Sequence, residues 1–335
     1  MYSICYVLAD SEELKYFDQM LISAYSARYR GFKGNIYVVL DPHTHECILK
    51  SGRKDAAELD LKLTELAVPE ELNIKEISRY LKTGCRDCIA GDMLYLDTDT
   101  LIVRELPETV STAEIALVLD AHWPRIGGSR ESVIPDVTAE KKKNRVIACG
   151  YEYNPDLPYY NGGCIWAKDT DFSHEFFREW REEWNKCRLA GIALDQMSLF
   201  YLTSKYRARI SELDGVWNVS VNVPQGMRFL DNAVILHYWN SGYSVYRLGD
   251  PEIQKKGYKS DEVRSVVADP LSAFYSLKYD KAVPSIESDF KTTSTYIEAF
   301  DLYKNRFRLF RCVNFLFSLR SKIRRSGSDN RPRSK

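Results

Sequence analysis

The stretch Met93-Leu94-Tyr95-Leu96-Asp97-Thr98-Asp99-Thr100-Leu101-Ile102-Val103 stops an apolar run abruptly at two carboxylates one residue apart and then resumes it. Four apolar residues in a row fit a strand of a parallel sheet covered by helices on both faces, where alternation with polar residues is not needed. Sheets of that kind bind ligands beyond the carboxyl ends of their strands. Asp97 and Asp99 would stand at that edge, where two carboxylates in one cleft repel each other unless a hard divalent cation neutralises them. A cation held there can grip phosphate oxygens.

Working outward, Ser3 to Ala9 (SICYVLA) has the composition of a buried first strand ending at Asp10. Asp10 and Glu13 have capping-box spacing, and Leu14, Phe17, Leu21 and Tyr25 share one face of the helix expected next, which stops at Gly31. Asn35 to Leu40 is then a second strand. Strand, helix, strand opens a nucleotide-binding α/β unit, yet neither G-x-G-x-x-G nor a P-loop is present, so glycine-rich turns do not hold the phosphates. Residues 55 to 66 are expected to be helical and Leu72 to Ile77 to form a third strand. A helix from Ser78 to Gly91, with Leu81, Cys85, Cys88 and Ile89 on one face, leads into the Asp97 strand.

Beyond it, Ile115 to Leu119 is a strand ending at Asp120, and His122 to Tyr159 is expected to form long surface loops. Tyr159 to Trp166 is a glycine turn entering an apolar strand, where Gly162 and Gly163 allow close approach of a ligand or form a bulge. A helix from about Ser173 to Ala190 carries Phe177, Trp180, Trp184 and Cys187, and another opens at Asp195-Gln196, where Asp195 has the position of an N-cap. Residues 233 to 238 form a late strand ending at His237 and Tyr238.

With 335 residues, 44% hydrophobic and 28% charged, the chain is of globular composition and has no apolar run of membrane-spanning length. The start lacks a charged leader, and a cytoplasmic location is expected. The eight cysteines are scattered, and Cys85-x-x-Cys88 has no second pair at zinc spacing. Positive and negative charges balance at 47 each, but residues 304 to 335 hold eleven Lys or Arg against the single acid Asp329. There Tyr303, Phe307, Phe310, Val313 and Phe317 form an aromatic stripe among basic residues. Such a helix can lie on an anionic membrane surface or dock on its own domain, and the membrane is the reading taken. No nucleic-acid partner is expected.

Four motifs in order resemble those of the metal-dependent glycosyltransferases of the GT-A fold, in particular glycosyltransferase family 8. They are the apolar strand with D-x-D, the Asn161-Gly162-Gly163 turn, the Asp195-Gln196 pair, and the late His237-Tyr238 with Gly242, preceded by a basic helix in SRYLKT. The resemblance covers roughly residues 3 to 245. It implies an α/β fold with a Rossmann-like, mainly parallel central sheet flanked by helices, followed by the basic amphipathic C-terminal helix. Residues 1–250 would be the catalytic domain, with a donor-binding half to about 105 and an acceptor-side half over 106–250; 251–295 would wrap it, and 296–335 would be helix and tail.

The same resemblance implies that Asp97, Asp99 and His237 hold Mn²⁺ or Mg²⁺, which binds the diphosphate of a UDP-sugar. Ala9 and Asp10 would meet the nucleoside, and Arg79, Lys82, Thr98, Asp120, Asn161, Gly162, Gly163 and Gly242 the rest of the donor. Asp195 and Gln196 would be catalytic, with Asp195 the charged candidate and Gln196 a positioning group. The implied reaction is retaining transfer of a hexose to a saccharide or glycolipid acceptor in bacterial-type cell-surface polysaccharide or lipopolysaccharide synthesis, on the cytoplasmic face of a membrane. Many family members have a lysine after the histidine-glycine turn, where this chain has Tyr243-Ser244-Val245-Tyr246, with Arg247 a candidate substitute. The competing readings are an inactive nucleotide-sugar binder, a sugar nucleotidyltransferase lacking its glycine loop, and a haloacid-dehalogenase-type phosphatase. The last requires a threonine where Leu101 stands.

Overall fold

The structure, a computed structural model, describes residues 2–120, 137–221, 229–238 and 246–274. Its core is a seven-stranded sheet in the order β3-β2-β1-β4-β7-β6-β8, formed by β1 (Ser3–Leu8), β2 (Ile36–Leu40), β3 (Leu61–Glu65), β4 (Met93–Leu96), β6 (Ile115–Leu119), β7 (Tyr160–Ala167) and β8 (Ile210–Leu213). β7 alone runs against the others, so the sheet is mainly parallel. A three-stranded sheet sits beside it: β5 (Thr100–Ile102), β10 (Ile235–His237) and β9 (Val219–Ser220), in that order.

Both faces of the large sheet are covered, which is why β1 and β4 carry continuous apolar runs. Ile4, Tyr6 and Leu8 belong to the core formed with α1 (Lys15–Tyr29). Cys5, Val7 and Ala9 belong to the core formed with α4 (Ile74–Gly84), α6 (Asp171–Leu189) and α7 (Gln196–Lys205). Between these come α2 (Pro42–Lys50), α3 (Asp55–Glu58) and α5 (Val137–Ala148). After β10, α8 (Pro251–Gln254) and α9 (Asp261–Ala268) return to α1, where Arg30 Nη2 donates to Val267 O at 2.7 Å and the rings of Tyr25 and Tyr258 lie 5.3 Å apart.

Several local expectations are corrected. The helix expected over 55–66 is the single turn α3 followed by β3, because Leu61 and Leu63 alternate with polar residues as a half-buried edge strand pairs with β2. The strand expected over 72–77 is instead the start of α4. Its true N-cap is Asn73, not Ser78, and Asn73 and Glu76 form a reciprocal capping box. Asp10 and Glu13 do not form a capping box: α1 begins at Lys15 after Leu14, whose φ of 52° is left-handed, and Asp10 reaches the Phe17 N–H of its first turn from outside the N-cap position. α6 starts at Asp171, capped by Thr170. The segment His122 to Tyr159, expected as loops, contains α5, while 121–136 lie outside the described residues. Gly242 and the basic segment 296–335 also lie outside them. Among the described residues no helix is long and apolar enough to cross a membrane.

The stretch 93–103 holds two strands, broken where the apolar run stops. β4 lies in the large sheet and β5 in the small one, so Asp97-Thr98-Asp99 is the junction where the chain changes sheets.

Candidate active site

The topology gathers several of the predicted residues at one edge. β1, β2, β4 and β6 are parallel, so their carboxyl ends bring Asp10, Asp41, Asp97 and Asp120 to the same side of the sheet. Because β7 is antiparallel to β4, with Leu96 opposite Cys164, its opening residues Asn161 to Gly163 arrive at that same edge. β10 is antiparallel to β5, with His237 opposite Thr100, and this sets His237 beside the D-x-D junction. Two main-chain bonds fix the join: Asp97 N donates to Gly163 O and Tyr238 N to Asp99 O, each at 2.9 Å.

One ligand atom from each of Asp97, Asp99 and His237 can be chosen so that all lie within 4.8 Å of one another. His237 Nε2 is 3.1 Å from Asp99 Oδ1, and its Nδ1 is 2.9 Å from Asn218 Oδ1. Burial works against the imidazolium, but the Asp99 carboxylate outweighs it and raises His237 above its ordinary value. Burial would raise Asp99 as well, and the His237 contact reverses this and holds its carboxyl below the usual range. A positive charge is therefore favoured between the two side chains. The donor set fits a divalent cation, which takes carboxylate oxygens and a neutral imidazole nitrogen whose other nitrogen is held by a hydrogen bond. Gly163 leaves room for it: a Cβ there would lie 2.7 Å from His237 Cε1 and 2.8 Å from Asp97 Oδ2.

Asp97 is held from the other side. Its Oδ1 accepts from the Tyr95 hydroxyl at 2.7 Å and from Lys82 Nζ at 3.1 Å, leaving Oδ2 turned toward Gly163 and His237. Lys82 is buried, lies 5.1 Å from the Tyr95 ring centroid, and reaches Asp195 Oδ2 at 3.1 Å. Burial opposes its charge, yet Asp195 and then Asp97 more than compensate and raise Lys82 above its ordinary value. Arg79 Nε lies 3.8 Å from Asp195 Oδ1. Asp195 does occupy the N-cap position of α7, but its side chain makes no capping bond; the carboxylate is turned to Lys82 and Arg79 instead. Half-buried Gln196 follows as the first residue of α7.

The other predicted residues have their own partners. Ala9 and Asp10 are buried at the end of β1, and the Asp10 carboxylate accepts from the backbone N–H groups of Ser11 and Phe17 at 2.9 and 2.8 Å. It shapes the turn into α1. The Thr98 hydroxyl points toward Gln19 Oε1 of α1, at 3.4 Å. Asp120 Oδ2 lies 3.4 Å from Asn161 Nδ2. Arg247 forms an ion pair with Glu262 at 2.6 Å.

Four participants were missed in the sequence: Tyr95, Asn218, Thr100 and Ser23. Tyr95 had a signal, since strand alternation puts it on the same side as Asp97. Asn218, in the irregular connection before β9, had none. Thr100 and Ser23 form a buried relay beneath the junction: Thr100 Oγ1 donates to Asp97 O at 2.8 Å and lies 2.9 Å from Ser23 Oγ, which in turn is 2.8 Å from the Tyr6 hydroxyl.

No protein-family model matches the sequence, and no curated protein matches it. Solved structures do. The galactosyltransferase LgtC in complex with donor and acceptor sugar analogs is 13% identical, with 79% of this chain and 95% of that chain covered at a TM-score of 0.50. GlyE, a glycosyltransferase of Streptococcus pneumoniae TIGR4, is 15% identical over 87% of this chain and 66% of its own, with a TM-score of 0.49. Mouse xyloside xylosyltransferase 1 is 12% identical over 72% and 98%, with a TM-score of 0.46. The likeness to LgtC is one of fold, and the fold is GT-A, the architecture that the sequence motifs imply.

Proposed function

We propose that this protein is a metal-dependent glycosyltransferase that moves a hexose from a UDP-sugar to a saccharide or glycolipid acceptor with retention of configuration. The pathway proposed is bacterial-type cell-surface polysaccharide or lipopolysaccharide synthesis. The observation that carries the reading is the convergence of Asp97, Asp99 and His237 at the carboxyl edge of a GT-A sheet. Those three residues would hold Mn²⁺ or Mg²⁺, which when bound supplies a Lewis acid for the charge that builds on the departing diphosphate. The protein's own groups do the rest. Lys82 bridges Asp97 and Asp195, and so ties the carboxylate proposed to lie beside the anomeric carbon to the carboxylate at the diphosphate. Held by Lys82 and Arg79, Asp195 needs no rearrangement to stabilise positive charge on the sugar ring. The neutral carboxamide of Gln196 serves positioning. Asn161, Gly162 and Gly163 let the sugar approach the main chain closely. The acceptor proton passes to the departing phosphate, so no strong protein base is required.

The test is to incubate the protein with UDP-glucose, UDP-galactose and simple phosphate esters in Mn²⁺. UDP release is expected, and Asp97→Ala and Asp99→Ala should each abolish it while keeping a cooperative unfolding transition. Phosphate release without UDP release, or unchanged turnover in both variants, would overturn the reading. The aromatic and basic segment 296–335 is proposed as the membrane contact. Deletion after Tyr303 should then weaken binding to anionic vesicles and spare UDP release; equal vesicle binding by both forms would refute that contact.

A further inference from the structure

The amide of Asn218 lies between the turn proposed to meet the sugar and the imidazole proposed to meet the cation, and its polarity is dictated by the main chain. Gly163 N–H can only donate, so the Asn161 side-chain atom 2.8 Å from it must be the carbonyl oxygen Oδ1. That oxygen also receives the side chain of Asn218 at 2.9 Å, so the atom Asn218 presents there must be the amino group Nδ2. The carbonyl end of Asn218 therefore faces His237 Nδ1 at 2.9 Å and can only accept. His237 must carry a proton on Nδ1. The orientation of both amides follows from the backbone donor Gly163 N–H. The far end agrees with it: Asn161 Nδ2, the donor end, faces the Asp120 carboxylate.

We infer that Asn218 is a positioning residue that holds a proton on His237 Nδ1 against the pull of the Asp99 carboxylate, which faces Nε2 at 3.1 Å and can likewise only accept, so that Nε2 is the nitrogen left free for a cation beside Asp99. Asn218 and His237 are 5% and 6% exposed, so bulk water does not replace the bond if it is lost. The same amide makes the Asn161–Gly163 turn and His237 one hydrogen-bonded unit. A ligand that moves the turn therefore acts on the imidazole, and the reverse holds too. The inference rests on the metal reading proposed for His237, but its first readout does not need a metal.

That readout is ¹⁵N NMR of histidine-labelled, metal-free protein at a pH where the ring is neutral, with the His237 signals identified by their absence in His237→Gln. The wild type should show the Nδ1–H tautomer. Asn218→Leu, nearly isosteric but without polar atoms, should show a mixture or the Nε2–H form. Manganese titration followed by electron paramagnetic resonance should give binding about 10- to 100-fold weaker for this variant, the usual effect of removing a ligand's supporting hydrogen bond. Asn218→Asp can still accept from Nδ1 but cannot donate to Asn161, so it should keep the tautomer while the turn loosens; it carries the test if Asn218→Leu does not fold. An Nε2–H tautomer in the wild type would overturn the inference. So would a fixed Nδ1–H with unchanged Mn²⁺ affinity in Asn218→Leu, or an altered tautomer in Asn218→Asp. If the wild type bound no Mn²⁺, the metal reading would fail by itself, and the tautomer result would still decide whether Asn218 orients the ring.

Discussion

Gly163 has no side chain to contribute, yet it is as tightly constrained as the three residues around it. A Cβ would fall 2.7 Å from His237 Cε1 and 2.8 Å from Asp97 Oδ2, closer than such contacts are found, and 3.0 Å from Asn161 Oδ1, which is tight. None of the three is the free end of a long, flexible chain. Gly163→Ala should therefore lower Mn²⁺ affinity by at least about tenfold while costing about 1–3 kcal/mol of stability, the range for overpacking a well-filled site. Paramagnetic resonance and urea unfolding measured on the same preparation would check both; unchanged Mn²⁺ binding would show that the alanine is absorbed elsewhere. At this scale the sequence showed the residues that are chemically unusual where they stand: paired carboxylates after an apolar run, paired glycines, a histidine ending a strand. It did not show Asn218, since an asparagine in an irregular segment looks the same whether it faces solvent or orients an imidazole.

The helix that delivers Lys82 illustrates the element scale. α4 begins at Asn73, whose side chain accepts from the N–H groups of Lys75 and Glu76 while Glu76 reaches back to Asn73 N. Asn73→Ala should cost about 1 kcal/mol in urea unfolding, the usual value of an N-cap. It should leave Mn²⁺ affinity unaltered, because Lys82 is placed by the packing of the helix's buried end against the sheet and not by its first turn. A large loss of metal binding would mean that the helix start is coupled to the site. Strands β1, β2, β4 and β6 were legible as apolar runs, because a strand buried on both faces needs no other signal. α4 was placed late because Leu72, Ile74 and Ile77 suggest a strand, while the Asn73–Glu76 spacing that caps a helix outweighs them. β3 was hidden for the opposite reason: an edge strand of alternating Leu and polar residues in a charged segment resembles a helix face over so short a span.

Across the whole molecule, the candidate site is a product of topology more than of any one segment. A single sheet with β7 reversed brings the ends of β1, β4 and β6 and the start of β7 to one edge, and the small sheet swings His237 onto the same place. Residues 140 positions apart in sequence, such as Asp97 and His237, meet because the D-x-D is the junction between the sheets. The α/β class followed from the strand pattern alone. The division into two sheets did not, since nothing in MLYLDTDTLIV marks Thr100–Ile102 as pairing with a strand far along the chain. The motif order carried by the family resemblance supplied what periodicity lacked. If the three side chains at this junction bind a divalent cation, donor binding depends on it. Calorimetric titration of UDP-glucose and UDP-galactose into the full chain, with Mn²⁺ or with a chelator, tests it most directly. At least one donor should bind in Mn²⁺, with binding lost in chelator and lost in Asp99→Ala; donor binding of equal affinity with and without the metal would show that the three side chains do not work through a cation.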